Sequence, residues 1–474
     1  MKLSYLVSSL IAIAGTATGF AQTPSANIDQ FIRVKSPVIA LEHVRVIDGT
    51  GSPSKPDQTV VISGGKISSM GNTGSVQIPE GANRIDLSGA SALPGMVGMH
   101  DHLFYPANGG LYHNMPFSFP RLYLAAGVTT IRTTGSMETY LDLELKKAID
   151  AGKALGPKMN ATGPYLEGAG TFTYQMHQLN GPVETRKTVE YWADEGVRSF
   201  KAYNYITRAE LKAAIDAAHR RGIKVTGHLC SVGFREAAAL GIDDLEHGLT
   251  VDTEFFPGKQ PDICPSASKA TEVASKMDVN GPEIQTTIRD LVSHHVAITS
   301  TLPVFEQFVA SRPNVPQKVL DSLSDDARKA YLANRARMAQ NANSPWPAMF
   351  PKEMEFERAF VKAGGVLLAG LDPTGIGGIV AGFGDQREVE LLVESGFTPL
   401  EAIKIATMNG AQFLGEADHI GSLAPGKQAD ILIVHGDPSA NIQDIENVDL
   451  VFKDGVGYDS AKLIESAKGQ VGIR

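Results

Sequence analysis

The chain has 474 residues, 43% of them hydrophobic, 20% charged and 7% aromatic, a composition that supports a large buried core and excludes a disordered or low-complexity polymer. Forty-three basic against 52 acidic side chains leave a formal charge of −9. No Lys/Arg stripe is long enough to follow a phosphate backbone, which argues against nucleic acid as a partner.

Residues 1–21 read as a secretory signal. Lys2 precedes an apolar stretch over 3–14 and a small-residue run, with Gly19 and Ala21 placed for cleavage before Gln22. The apolar run is too short to span roughly 30 Å of hydrocarbon. The expectation is a secreted or periplasmic protein with no stable membrane anchor after cleavage, followed by a linker over 22–37. The two cysteines, Cys230 and Cys264, leave open either a disulfide or two buried thiols.

Between 38 and 93 the pattern is short and β-like, as at 44–49 and 59–65, with Gly, Pro and Ser between runs. From 94 to 415 the rhythm becomes apolar strand, turn and amphipathic helix, repeated. Eight strand candidates lie at 96–102, 128–134, 158–165, 197–203, 224–229, 244–249, 296–302 and 366–372. Eight β/α units predict an α/β fold of the (β/α)8 TIM-barrel type over 94–415. The clearest helix signal is at 207–221, where Thr207 and Glu210 form a capping box and Gly222 ends the run. After the eighth strand, 398–414 reads as a helix, and 421–434 returns to β character. Residues 38–93 and 416–474 are therefore expected to build one small β-sandwich domain from both chain ends. The stretches 250–294 and 303–365 exceed simple connections and read as functional lids.

The chemistry gathers at strand ends. Four of the twelve histidines, His100, His102, His228 and His247, fall where strand candidates finish, and in a (β/α)8 barrel those ends open onto one face. His100-Asp101-His102 alternates along a strand, so both imidazoles share a side while Asp101 points away. Lys201 stands near the end of the fourth strand, where burial lowers an ammonium pKa. The neutral amine can add carbon dioxide to become a carbamate, an anionic oxygen ligand able to bridge two cations. Asp372 closes the eighth strand.

With these six residues in view, the chain resembles the amidohydrolase superfamily, in its imidazolonepropionase-like and Xaa-Pro dipeptidase-like branch. The likeness is carried by 93–102, Phe200-Lys201, Thr226-Gly227-His228, Glu246-His247-Gly248, Ala369-Gly370-Leu371-Asp372 and 421–431, spread over about 40 to 455. It implies a binuclear centre, usually of zinc. His100, His102 and Asp372 would hold the buried ion, His228 and His247 the exposed one, and carboxylated Lys201 would bridge them. The chain departs from the branch at Leu371, where Thr or Ser commonly precedes the aspartate, and in a short spacing from Lys201 to His228.

Two such cations lower the pKa of a shared water enough to supply hydroxide near neutrality, and the exposed one polarises the carbonyl under attack. Asp372 is the expected general base and acid. Tyr203, on the same side of the strand as Lys201, is the candidate additional donor to the carbonyl. The expected activity is metal-dependent hydrolysis of an amide bond, peptide-like or in an N-acyl amino acid, in a small molecule. Lactone, ester or phosphotriester hydrolysis is the alternative on the same site, and an inactive barrel used for binding or scaffolding is the alternative of another class. Tyr165 and His177, in and after the third strand, are candidate substrate contacts, and no cationic residue stands out as a clamp for a substrate α-carboxylate. Members of the superfamily often assemble, so a homo-oligomer accompanies the resemblance.

Overall fold

The computed structural model describes residues 28–107 and 110–473; the signal and its cleavage site lie outside that range. Each apolar run of the central region contains a parallel strand: β1 (Met96–Gly98), β2 (Val128–Arg132), β3 (Lys158–Asn160), β4 (Ser199–Ala202), β5 (Lys224–Gly227), β6 (Asp244–Glu246), β7 (Ala297–Ser300) and β8 (Leu367–Ala369). Residues in β2, β4, β6 and β7 are buried throughout, as expected of strands covered on both faces. His100, His102, His228, His247 and Asp372 lie just beyond the last residues of their strands, whereas Lys201 sits within β4, in register with Thr226.

Strands β3-β2-β1 form one sheet and β4 through β8 another, in sequence order. Backbone bonds join their edges. Gly163 N donates to Ser199 O at 3.0 Å and Arg198 N to Ala161 O at 2.8 Å, linking the third and fourth strand segments. Met99 N donates to Ala369 O at 2.8 Å and Asp372 N to His100 O at 3.1 Å, linking the eighth to the first. Gly370 permits that last approach, since a Cβ there would lie 2.5 Å from His100 N.

The helix Arg208–His219 begins as its sequence predicts. The Thr207 side chain accepts from Glu210 N, and the Glu210 carboxylate accepts from Thr207 N. The two long stretches resolve into ordinary crossover helices at their ends, Pro282–Ser293 and Trp346–Lys362. What remains of the second includes the helices Gln317–Ser322 and Asp325–Gln340. A disulfide joins Cys230, just after β5, to Cys264 in the first of these stretches, closing a long loop and so restricting the unfolded chain.

Both chain ends meet in one sheet of nine strands, where a two-sheet sandwich was expected. Its longest members, Val38–Val46 and Lys55–Ser63, pair antiparallel with register shifts between Leu41 and Val44 and between Val44 and Val46. Such bulges bend a strand, so a single sheet can wrap its own apolar core. The stretch read as a linker also contributes: its strand Ile32–Val34 pairs antiparallel with Val456–Asp459. Among the described residues no helix is long and apolar enough to cross a membrane.

Helix Thr139–Asp150 carries a buried carboxyl with a measurable consequence. Asp142 accepts from Ser136 Oγ at 2.6 Å, yet burial pushes its carboxyl up to about 7. The folded pKa therefore exceeds the unfolded value of about 3.9, so the fold retains a proton that the unfolded chain releases. Stability is lost as pH rises through the window from about 4 to 7. Asp142→Asn keeps the acceptor and removes the titration. The variant should match the parent near pH 4 and exceed it near pH 8 by on the order of a few kcal/mol, read as a Tm difference that opens with pH. A constant difference across that range would show that Asp142 is ionised in the fold.

Candidate active site

The C-terminal ends of β1, β4, β5, β6 and β8 bring His100, His102, Lys201, His228, His247 and Asp372 into one group, buried except for the half-buried His228. Lys201 points inward, with Nζ 3.0 Å from His100 Nε2. The Asp372 carboxylate lies at the convergence of three imidazoles: Oδ2 is 3.8 Å from His100 Nε2 and 3.9 Å from His247 Nε2, and Oδ1 is 3.6 Å from His102 Nε2. His228 completes the group, its ring centroid 4.5 Å from that of His247.

Two of these residues occupy backbone conformations that cost energy. His247 has φ 72° and Asp372 φ 49°, left-handed values that a non-glycine residue holds only when its surroundings impose them, at a cost of about 1–3 kcal/mol each. Here the surroundings are the strand ends. His247 N donates to Thr299 O and Asp372 N to His100 O, so each side chain is turned inward as its strand breaks.

The outer nitrogens of these three rings are all occupied. His100 Nδ1 lies 2.7 Å from Glu246 Oε2, His102 Nδ1 3.2 and 3.3 Å from the carbonyls of Thr133 and Gly135, and His247 Nδ1 2.7 Å from Thr301 Oγ1. An imidazole that donates from Nδ1 presents the Nε2 lone pair to the interior of the group. Burial holds His100, His102 and His247 well below the usual imidazole pKa and His228 down to about 3, with Lys201 acting in the same direction on each. The rings are therefore neutral, the form in which histidine is a metal ligand. Burial also lowers Lys201 to about 8 and raises Asp372 to about 6.

These residues fit divalent cations. His247 Nε2 and Asp372 Oδ1 are buried with no hydrogen-bond partner, which a native fold rarely tolerates without a further ligand. One donor atom each from His100, His102 and Asp372 lies within 4.8 Å of the others. Neutral imidazoles with a carboxylate are the donor set of zinc and similar ions.

Beneath the group lies a support whose part in the site the sequence did not announce. Arg132, fully buried at the end of β2, donates from Nε to Met99 O at 2.7 Å and from Nη2 to Asp244 Oδ2 at 2.8 Å and Glu246 Oε1 at 3.0 Å. Glu246 in turn orients His100. The available signal was an arginine ending the otherwise uncharged run Val128-Thr129-Thr130-Ile131, matched by acids at alternate positions of β6. Asp101 points away from the group, as strand alternation predicts, against buried Asp385, and burial beside that acid pushes its carboxyl well above the usual range.

Above the group a small pocket is lined by His102, Lys201, His228 and Asp372 together with aromatic residues. Tyr165 is among them, its hydroxyl 3.4 Å from His102 Nε2. Tyr203 is another, its ring 4.9 Å from that of His228. His177 is not brought there. It is exposed, with Nε2 2.8 Å from Glu184 Oε1, and its neighbour Met176 lines the pocket instead. Phe172, in the aromatic loop that follows the third strand, also contributes, as does Tyr112, which sequence reasoning passed over.

The sequence profile of the Amidohydrolase family matches residues 372–457. Adenine deaminase 2 of Jannaschia sp. (strain CCS1) is 37% identical over 71 residues, and adenine deaminase 4 of Rhizobium meliloti (strain 1021) 45% identical over 47. These matches cover 15% and 10% of this chain but only 11% and 8% of the deaminases' own lengths. In fold, the chain is similar to a Xaa-Pro dipeptidase crystallised with methionine in its active site, at TM-score 0.67 and 22% identity over 89% of this chain and 100% of that one. It is also similar to bottromycin amidohydrolase, at TM-score 0.67 and 21% identity over 91% of each chain. A third likeness is to the ochratoxinase of A. niger, at TM-score 0.63 and 19% identity over 89% of this chain and 95% of that one.

Proposed function

From a chain that resembles the amidohydrolases, in sequence over residues 372–457 and in fold over about nine-tenths of its length, we propose a metal-dependent hydrolase of amide bonds in small molecules, built on a closed (β/α)8 barrel. The observation that carries this is the convergence of four neutral imidazoles, an inward lysine and a carboxylate, two of whose donor atoms have no partner in the protein. His100, His102 and Asp372 would hold one divalent cation, His228 and His247 a second, and Lys201, carboxylated by carbon dioxide, would bind between them. Bound there, two cations of the zinc type supply a low-pKa water and polarisation of the carbonyl under attack.

The protein's own part follows from its geometry. Asp372, with a carboxyl near 6, is suited to take the proton of the attacking water and return it to the leaving nitrogen. Glu246, fixed by Arg132, keeps His100 in one tautomer. Tyr165 and Tyr203 line the pocket, and Tyr203 is the candidate donor to a substrate carbonyl. The signal at 1–21 supports action outside the cytoplasm.

Metal analysis of the purified protein, with assays of N-acyl amino acids and their amides, dipeptides, lactones and phosphotriesters with and without chelator, tests this. Two bound ions and chelator-sensitive amide cleavage are expected. Asp372→Asn should lower kcat by roughly 10²–10⁴-fold. Turnover confined to lactones or phosphotriesters would move the assignment to those bonds, and an inert protein without metal would leave a binding or scaffold role.

A further inference from the structure

The pocket above the cluster is walled by aromatic side chains in mutual contact. The Phe104 ring stacks on His102 with centroids 4.3 Å apart and meets Tyr112 at 5.1 Å. Tyr112 meets Phe172 at 6.5 Å, Phe172 meets Tyr203 at 6.3 Å, and Tyr203 meets Tyr165 at 4.9 Å. Among the described lining residues the cationic side chain is Lys201, which already belongs to the ligand cluster. The cavity is only about 50 Å³, so an occupant must lean on these rings and displace part of the wall.

The Phe104–Tyr112–Phe172 part of that wall comes from two separate segments bridged by one side chain. Tyr112 sits on the hairpin of Phe104–Pro106 and Tyr112–Asn114, and Phe172 on the loop after the third strand segment. Gln175 spans the gap, accepting from Tyr112 N at Oε1 (2.7 Å) and donating from Nε2 to Tyr112 O (2.8 Å). The clamp acts on the backbone of Tyr112 and leaves its ring in the wall. On the far side of Tyr112 a second cavity of about 260 Å³ continues past Tyr105, Asn334 and Ile376, with Asp326 as its charged lining residue.

We propose that this cleft selects substrates that are uncharged next to the scissile bond, presenting an aromatic or branched apolar group to the Phe104–Tyr112–Phe172 wall and no free α-carboxylate, and that Gln175 positions that wall. This rests on the hydrolase assignment above and narrows its substrate class. A carboxylate lodged among these rings loses its hydration without gaining a cationic side chain of its own, Lys201 being committed to the ligand cluster, while an apolar ring gains edge-to-face contacts. The acidic residue in the adjoining cavity further disfavours an anionic extension.

N-benzoylphenylalaninamide and N-benzoylphenylalanine differ only at the α-carboxyl position, a neutral amide against a carboxylate, and they supply the test on the metal-loaded full chain. The amide should be cleaved at the benzoyl bond with kcat/KM at least tenfold above that of the acid. In calorimetry, a readout independent of turnover, it should bind at least tenfold more tightly. Equal or better binding of the acid would overturn the substrate class while leaving the hydrolase assignment standing. Tighter binding of the amide, with no cleavage across the whole amide panel, would support the selectivity and sink the hydrolase assignment instead. Gln175→Leu should raise KM for the neutral substrate about fivefold or more, with kcat within about twofold and a Tm near that of the parent. A Gln175→Leu enzyme with unchanged KM, whether its kcat is parental or is reduced along with a loss of Tm, would remove the positioning role.

Discussion

Alanine at position 201 is expected to abolish both metal loading and turnover, with kcat falling by at least about 10³-fold, the scale on which a positioned group and a metal-activated water contribute. The expectation starts from burial. Lys201 is fully enclosed, and its ammonium is brought down to about 8 by loss of hydration, so at neutral pH a usable fraction is the free amine that carbon dioxide can carboxylate. As an ammonium it would oppose cations held by the imidazoles a few ångströms away. As a carbamate it would supply a second anion beside Asp372. Alanine leaves a gap of the size of the missing chain, so short carboxylates such as acetate or propionate should restore part of both metal content and rate. Metal analysis and kinetics with and without added carboxylate check this. A Lys201→Ala protein that keeps two ions and full activity would show that the lysine is only a packed side chain.

Replacing Arg132 should have the largest effect on stability. Asp244 and Glu246 project to the same side of β6 and are buried, and Arg132 bonds both while also reaching Met99 O. Arg132→Leu would strand two neighbouring carboxylates in the interior. Breaking a buried ion pair from one side typically costs about 3–5 kcal/mol, and a drop in Tm on the order of 10 °C should accompany it. Because Glu246 orients His100, metal affinity should fall as well, by about 10–100-fold. Arg132→Lys should recover little, since a single ammonium cannot reproduce the forked contacts. Calorimetric Tm and metal titration of the three proteins decide it, and a stable Arg132→Leu protein with parental metal affinity would dissociate this residue from the site.

The strand ends show what was legible and what was not. His100, His102, Lys201, His228, His247 and Asp372 could be singled out because each is a polar residue terminating an apolar run, and periodic burial is a local property of sequence. The capping box at Thr207 and Glu210 was legible for the same reason, its bonds spanning only three residues. His177 was drawn to the pocket by proximity in sequence to Tyr165, but the loop between them turns it outward to Glu184.

Sequence by itself therefore determined the order of strands, the identity of the residues at their ends and the chemical class of the cluster, since each depends on a pattern within a few neighbours. The tertiary structure alone decided that Arg132 and Glu246 stand under His100, that Cys230 pairs with Cys264, that the strand Ile32–Val34 pairs with Val456–Asp459 and that Gln175 fastens Tyr112 into the pocket wall. Those contacts join residues from 34 to several hundred positions apart, and no local periodicity records a partner at such a distance. They exist because packing of the strands brings buried polar groups together, where each must find a counterpart that water no longer provides.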